Sequence, residues 1–325
     1  MSTRAFVVVT GADGFIGQAL VAHFGVTGRS FRAVVRRPGH AAPLPLRYTS
    51  VTDLATLSDA ELDTLVAGTA AIVHLAGRAH VRDESAPDPD PLYRLANVVA
   101  TERLAQAAVR AGVERFIYAS SVKVNGEASL PGRAFRPDDP PAPHDAYARS
   151  KLDAEQALAA VCAGTATVPL VLRLPLVYGP GVKANFLTLI DEIARRRVLP
   201  LGAVHNRRSL LYVGNLVDAI DAALDASPAP AGVHFLADAD AVSVPDLVRA
   251  LAAAVGVDAR LTSVPLPLLK LGGRVLGKSA TIDRLTGSLE VDTASFRSAT
   301  GWSPRHSRAE GLAATAAWWR TRHAL

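Results

Sequence analysis

Tyr147 and Lys151 stand four residues apart in a stretch with helical spacing, so their side chains share one face. A free phenol titrates near pH ~10, too high for efficient proton exchange at neutrality. An ammonium one helical turn away favours the phenolate and lowers that value. Lysine can also hydrogen-bond a nicotinamide ribose. Ser120 and Ser121 lie upstream, after the apolar strand Arg115–Ala119. A serine hydroxyl at the carboxyl edge of a sheet can hold a substrate oxygen in line with the phenol. Ser121, Tyr147 and Lys151 are therefore the candidate catalytic trio. Taken alone, a Tyr-x-x-x-Lys pair also occurs as an ordinary surface pair on a helix.

A second feature gives the trio a partner. Residues 10–17 read Thr-Gly-Ala-Asp-Gly-Phe-Ile-Gly, directly after the apolar run Phe6–Val9. Gly11 permits a tight turn after a first strand, and Gly14 lets the backbone approach a pyrophosphate at a helix N-terminus. Gly17 lets that helix pack closely on the sheet. Asp13, Phe15 and Ile16 complete the candidate dinucleotide-binding turn. The second strand, Phe31–Val35, ends at Arg36. A carboxylate there would hold the ribose 2′-hydroxyl of NAD, whereas an arginine accommodates the 2′-phosphate of NADP. Arg36 thus favours NADP over NAD, although a strand-end arginine is also ordinary solvated surface. Asp53 can accept from the adenine amino group or serve as a helix N-cap.

These residues need elements to carry them. Strand patterns at Phe6–Thr10, Phe31–Val35, Ala70–Leu75, Arg115–Ser120 and Thr167–Leu174 alternate with helical patterns at Gly14–Phe24, Leu92–Ala111 and Tyr147–Val161. This alternation predicts an α/β fold, a Rossmann-type doubly wound parallel sheet covered on both faces. The pattern breaks after Leu174. A helix at Phe186–Arg197 sits among prolines and glycines, and 208–235 returns to strand–helix–strand. Helices follow at Pro245–Val255 and near Ala309–Arg320. The expected division is a cofactor domain over 1–174 plus about 206–236, and a smaller mixed C-terminal substrate lobe over 175–205 and 237–325. Asp83–Pro91 and Pro137–His144 read as exposed loops.

The 325 residues are 49% hydrophobic and 20% charged, ordinary for a soluble enzyme. Cys162 is the sole cysteine, so no internal disulfide forms and a reducing, cytoplasmic setting is expected. Its Ala-rich helical surroundings suit a buried structural thiol. No secretory leader pattern is visible, and no apolar run reaches the ~18–20 residues of a membrane span. The greasy run Pro265–Leu271, interrupted by Lys270, reads as a buried loop or helix start rather than a membrane contact. The net charge of +5 suits an anionic small ligand. The arginines are scattered and lack a nucleic-acid motif, so no nucleic-acid partner is expected. No metal-binding Cys/His cluster, Gly-x-Ser-x-Gly elbow or Walker lysine loop is present.

Over nearly its whole length the chain resembles the extended short-chain dehydrogenases/reductases. It is most similar to their nucleotide-sugar branch of 4-epimerases, 4,6-dehydratases and 4-keto-reductases. The matching segments are Thr10–Gly17, His74–Gly77, Asn97–Thr101, Phe116–Gly126, Tyr147–Lys151 and Leu172–Gly181. The resemblance implies that Ser121 rather than Ser120 is catalytic, because it holds third place in Ala119-Ser120-Ser121. It implies that Leu75, Ala76 and Gly77 line the cofactor by backbone, and that Pro175 meets the nicotinamide end. Asn185 and Phe186 would lie by the nucleotide diphosphate and base, and Arg208 would pair with a diphosphate oxygen. Asn97 would serve either a backbone hydrogen bond or the cofactor.

Departures from the pattern narrow the reaction. The dehydratases carry an Asp-Glu pair just after the serine, where this chain has Val122-Lys123. That argues against water elimination. The segments His74–Val81, Ser120–Glu127 and Arg207–Asn215 resemble enzymes acting on UDP-4-keto-6-deoxy-N-acetylhexosamines. In such an enzyme Arg78, His80 and Lys123 would face the sugar or its diphosphate. With Arg36, the expectation is a C4 reductase of a UDP-4-keto sugar. The alternatives are a UDP-hexose 4-epimerase retaining NAD and, remotely, a dinucleotide-binding regulator without chemistry. The family commonly dimerises through two long helices, here 92–111 and 147–161, so a homodimer is expected.

Overall fold

The computed structural model describes residues 6–36, 48–79, 88–130 and 132–323. Seven parallel strands form the central sheet: β1 Phe6–Thr10, β2 Phe31–Val35, β3 Tyr48–Ser50, β4 Thr69–His74, β5 Arg115–Ser121, β6 Val168–Leu174 and β9 Gly232–Phe235. Their spatial order is β3-β2-β1-β4-β5-β6-β9. Two short strands, β7 Leu176–Tyr178 and β8 Leu210–Tyr212, pair with each other. The strand order reverses direction between β1 and β4, so the carboxyl ends of those two strands frame the crevice where open α/β sheets take ligands. The α/β Rossmann-type reading of the sequence holds.

Helices cover both faces. They are α1 Phe15–Thr27, α2 Asp59–Val66, α3 Asp90–Tyr93, α4 Ala100–Arg110, α5 Ala146–Cys162 and α6 Ala184–Ala194. The rest are α7 Val213–Asp225, α8 Val244–Val255, α9 Leu266–Val275, α10 Ser279–Thr286, α11 Ala294–Thr300 and α12 Arg308–His323. One core packs α1 and α7 on the sheet through Leu20, Phe24, Leu216 and Ile220. The opposite core holds Leu62, Leu104, Ala154 and Leu158 of α2, α4 and α5. Cys162 lies in this core, and burial pushes its thiol up, as a structural role requires. A third cluster joins α6, α8 and α12. Among the described residues no helix is long and apolar enough to cross a membrane.

The expected helix over 92–111 is interrupted. A π segment, Arg94–Val99, separates α3 from α4. Thr101 donates to the Asn97 carbonyl at 2.5 Å, and the extra residue per turn lets the Asn97 side chain serve other elements. The loop expected at Asp83–Pro91 falls largely outside the described residues. Its last two residues open α3, because proline is accepted in a first helical turn. The helix expected to run to Arg197 stops at Ala194, since Arg196 adopts a left-handed φ of 55°.

Thr10, His74 and Tyr118 stand in one row across β1, β4 and β5. His74 is fully buried, 2.6 Å from Thr10 Oγ1 through Nδ1 and 3.1 Å from Thr101 Oγ1 through Nε2. Burial, helped by the nearby Lys151 charge, pushes its imidazole down to about 3. The unfolded chain binds a proton below about pH 6.5 that the folded chain excludes. Stability conferred by the neutral ring is therefore present above that value and lost as pH falls towards 3, at about 1.4 kcal/mol per pH unit. Denaturant midpoints between about pH 6 and 4 should fall more steeply for the wild type than for His74→Gln. Parallel slopes would contradict this account.

Candidate active site

The glycine turn closes over the crevice. Gly11 has φ +66°, and a side chain there would come within 2.7 Å of the Ala76 nitrogen. At Gly17 a Cβ would collide with the Gly11 carbonyl oxygen, so only glycine lets α1 seat on the turn. Gly14 differs: a Cβ would meet only the Gly11 oxygen, at 3.1 Å. The chain itself makes little use of the space above Gly14, which opens at the amino end of α1. That space fits a pyrophosphate, whose charge the amino end favours. Ala12 N donates to Val34 O at 3.2 Å, bringing the end of β2 and the exposed Arg36 beside the turn.

A cleft of about 210 Å³ lies at the carboxyl ends of β4, β5 and β6, beside the first turn of α1. Ile16, Leu75, Gly77, Arg78, Ser121, Tyr147, Lys151 and Pro175 line it together with Ala79, Ala119, Ser120, Leu174 and Val177. Residues from sequence positions more than 150 apart thus converge on one cleft. Gly77 belongs there sterically, because a Cβ would come 2.7 Å from Asn97 Oδ1 and 3.5 Å from Lys151 Nζ. Asn97 is a structural clamp. It accepts from Arg78 N at 2.7 Å and donates to Arg78 O and Ser150 Oγ. The cofactor-side loop is thereby fixed to the helix that carries the trio.

Each member of the trio is held from its own element. Asp145 caps α5 by accepting from Ala148 N at 2.7 Å, which sets the first turn bearing Tyr147. The Tyr147 ring packs edge-on to Tyr93 at 6.2 Å, and its hydroxyl is hydrogen-bonded with Ser121. Lys151 Nζ donates to the Ala119 carbonyl at 2.9 Å and lies 4.6 Å over the Tyr118 ring. With only the chain's own groups around it, the phenol is pushed up to about 12. Burial is the main cause, the Ser121 bond opposes it, and Asp145 and Tyr93 add to the rise. Burial pushes Lys151 down to about 8, against the charge of Glu155. The ammonium's expected depression of the phenol is thus outweighed by burial, and the trio is poised with a neutral phenol.

Beneath the trio runs a network the sequence reading missed. Glu155 and Arg173, each with a side chain 5% exposed, form a buried ion pair at 2.6 Å. Arg173 also donates to Asn125 Oδ1 at 2.9 Å, and the Ser120 hydroxyl donates to Glu155. Ser120 is thereby committed to the pair, which leaves Ser121 facing the cleft. Two signals were present in the sequence. Glu155 continues the four-residue spacing of Tyr147 and Lys151, and an arginine inside the apolar strand Val168–Leu174 requires a buried partner.

Other candidates sit elsewhere. Lys123 does not face the cleft: its Nζ is 2.7 Å from Asp145 and 3.2 Å from Glu127, so it braces the α5 cap. Asp53 is not the N-cap of α2; it accepts from Ala55 N in a turn, and Ser58 provides the cap with a full capping box. Phe186 is buried and stacks on Tyr178 at 5.4 Å, which removes its side chain from any base. Asn185, beside it in the first turn of α6, is exposed. Arg208 donates to the Arg284 and Gly287 carbonyls at 2.7 and 2.9 Å, and burial with Arg284 pushes its guanidinium down. His80 lies outside the described residues. Asp13 lies in the turn and accepts from Gln18 through its backbone oxygen. Phe15 packs towards the third cluster.

Residues 7–236 match the NAD dependent epimerase/dehydratase family. A Vibrio cholerae protein described as UDP-glucose 4-epimerase is 38% identical over 313 residues, covering 95% of this chain and 94% of that protein. An Escherichia coli O157:H7 protein described as N-acetyl-alpha-D-glucosaminyl-diphospho-ditrans,octacis-undecaprenol 4-epimerase is 26% identical, covering 94% and 92%. The solved structure of MoeE5 in complex with UDP-glucuronic acid and NAD is 30% identical, with a TM-score of 0.77, over 99% of this chain and 100% of that one.

Proposed function

The chain belongs to the NAD dependent epimerase/dehydratase family, and on that premise we propose that it is a 4-epimerase of a UDP-linked hexose that retains NAD. The observation that carries the reading is the convergence of Ser121, Tyr147 and Lys151 on one cleft beside the glycine turn. Relatives named for 4-epimerisation, and a 30% identical structure that holds a UDP-sugar with NAD, support it.

NAD, when bound, supplies the hydride acceptor and donor for the sugar C4, and its ring charge favours the phenolate. Gly11, Gly14 and Gly17 would hold its pyrophosphate, Leu75–Gly77 its length, and Lys151 its ribose. Tyr147 takes the proton from the C4 hydroxyl during oxidation and gives it back to the ketone oxygen. Ser121 holds that oxygen through both half-reactions and stabilises its negative charge. Lys151 keeps positive charge beside the phenol. Arg78 lies at the open side, with its guanidinium 5.3 Å over the Tyr93 ring, where a diphosphate can meet it. Asn185 and Arg208 remain at the C-terminal side as candidates for the nucleotide. The same reading carries a homodimer through residues 92–111 and 147–161; the exposed Leu92 and Leu95 support it.

Arg36 favours a second reading, reduction of a UDP-4-keto-6-deoxy-N-acetylhexosamine by NADPH. One incubation separates the two. Purified protein should convert UDP-galactose to UDP-glucose without consuming added cofactor. Steady NADPH oxidation by a UDP-4-keto sugar, with no hexose interconversion, would replace the epimerase reading with the reductase.

A further inference from the structure

We propose that α9 and the turn after it form a docking face for an anionic lipid surface. Among the described residues this is the largest run of exposed aliphatic side chains: Leu268 is 59% exposed, Leu271 56%, Val275 79% and Leu276 71%. Leu268, Leu271 and Val275 follow the i, i+3, i+7 spacing, so they form one stripe. The stripe points outward, because the opposite side of the helix is the buried one. There Leu269 is buried, and Gly273 packs so closely that a Cβ would come 2.7 Å from Ile282 of α10. A soluble surface rarely leaves such a stripe open without a use for it.

Charge selects the partner. Lys270, Arg274 and Lys278 flank the stripe, and no carboxylate occurs from Val264 to Ile282. The nearest acid, Asp283, meets only Lys270, at 3.6 Å. Aliphatic side chains edged by cations are the composition of a helix that lies in the headgroup plane with its apolar face sunk into the acyl boundary. The same pattern disfavours a second copy of this chain, since pairing stripe to stripe would bring like charges together. The face belongs to a hairpin whose second helix ends on Arg208, through the carbonyls of Arg284 and Gly287. Docking would thus set the C-terminal side of the molecule at the lipid surface without a membrane span.

The test is co-sedimentation of the full-length protein with vesicles of phosphatidylglycerol mixed with phosphatidylcholine, and with vesicles of phosphatidylcholine alone. The wild type should partition onto the anionic vesicles at least about tenfold more strongly, with binding falling as salt rises. Neutralising the three cations (Lys270→Gln, Arg274→Gln, Lys278→Gln) should lower partitioning by about a hundredfold, from roughly fivefold per charge. The variant Leu268→Ser, Leu271→Ser, Val275→Ser should also lose binding while keeping the wild-type melting temperature and turnover. Three results would overturn the proposal. One is no binding by the wild type, and another is full binding by the serine variant, which would reduce the effect to net charge. The third is a wild-type oligomer that the serine variant dissociates, which would make the stripe a protein contact.

Discussion

Tyr147→Phe should lower kcat by about two to four orders of magnitude while the protein still folds and still carries its dinucleotide. The substitution removes one oxygen and keeps the ring, so the edge-on packing against Tyr93 at 6.2 Å remains. Ser121 Oγ keeps its second contact, accepting from Lys123 N at 3.2 Å. No buried polar group is left without a partner, and stability should change little. What disappears is the phenol hydroxyl that the proposed reaction uses to exchange a proton with the sugar oxygen. Turnover, cofactor content and melting temperature measured on one preparation check the result. Retained turnover would reassign the proton to another group; lost cofactor would make Tyr147 a binding residue instead.

Glu155→Ala should be the most destabilising single change near the site, by about 3–5 kcal/mol. It strands the Arg173 guanidinium in a site 5% exposed, with only Asn125 as partner. Replacing both partners with methionine should recover most of that loss, because a buried pair contributes little beyond a packed apolar pair. Activity should not recover in parallel. The charge of Glu155 raises the Lys151 value against burial, which holds it at about 8. Without that carboxylate the ammonium loses its proton at lower pH, and the alkaline limb of the pH–rate profile should shift downward in both variants. Urea denaturation and pH–rate profiles check the two halves. A double variant as unstable as Glu155→Ala, or an unmoved alkaline limb, would contradict this role.

The contrast between the trio and the network beneath it shows what a sequence carries. Tyr147, Lys151 and Ser121 were legible because fixed spacing on a helix and a strand end determines where they point. The glycine turn was legible for the same reason: strand, turn and helix are contiguous. The partners of Lys123, Arg208 and Phe186 were not legible, because a residue type states what a side chain can do and leaves open which partner claims it first. Lys123 is claimed by Asp145 and Glu127, and Arg208 by two carbonyls. Phe186 is claimed by the Tyr178 ring. The π segment at Arg94–Val99 left no mark in the apolar pattern, since it adds a residue within a turn while both flanking helices still pack on α5. The outward stripe of α9 was read as a buried loop or helix start, because leucine alone does not say which side of a helix is covered.

The claim on which all of this turns is that one phenol and one hydroxyl guide reversible oxidation at a sugar C4, with the hydride never leaving the site. UDP-galactose deuterated at C4 tests it directly. The account predicts that the UDP-glucose formed carries the deuterium at C4, with no label appearing in added NADH or NADPH. Product that has lost the C4 label, or label found in the added cofactor, would contradict it.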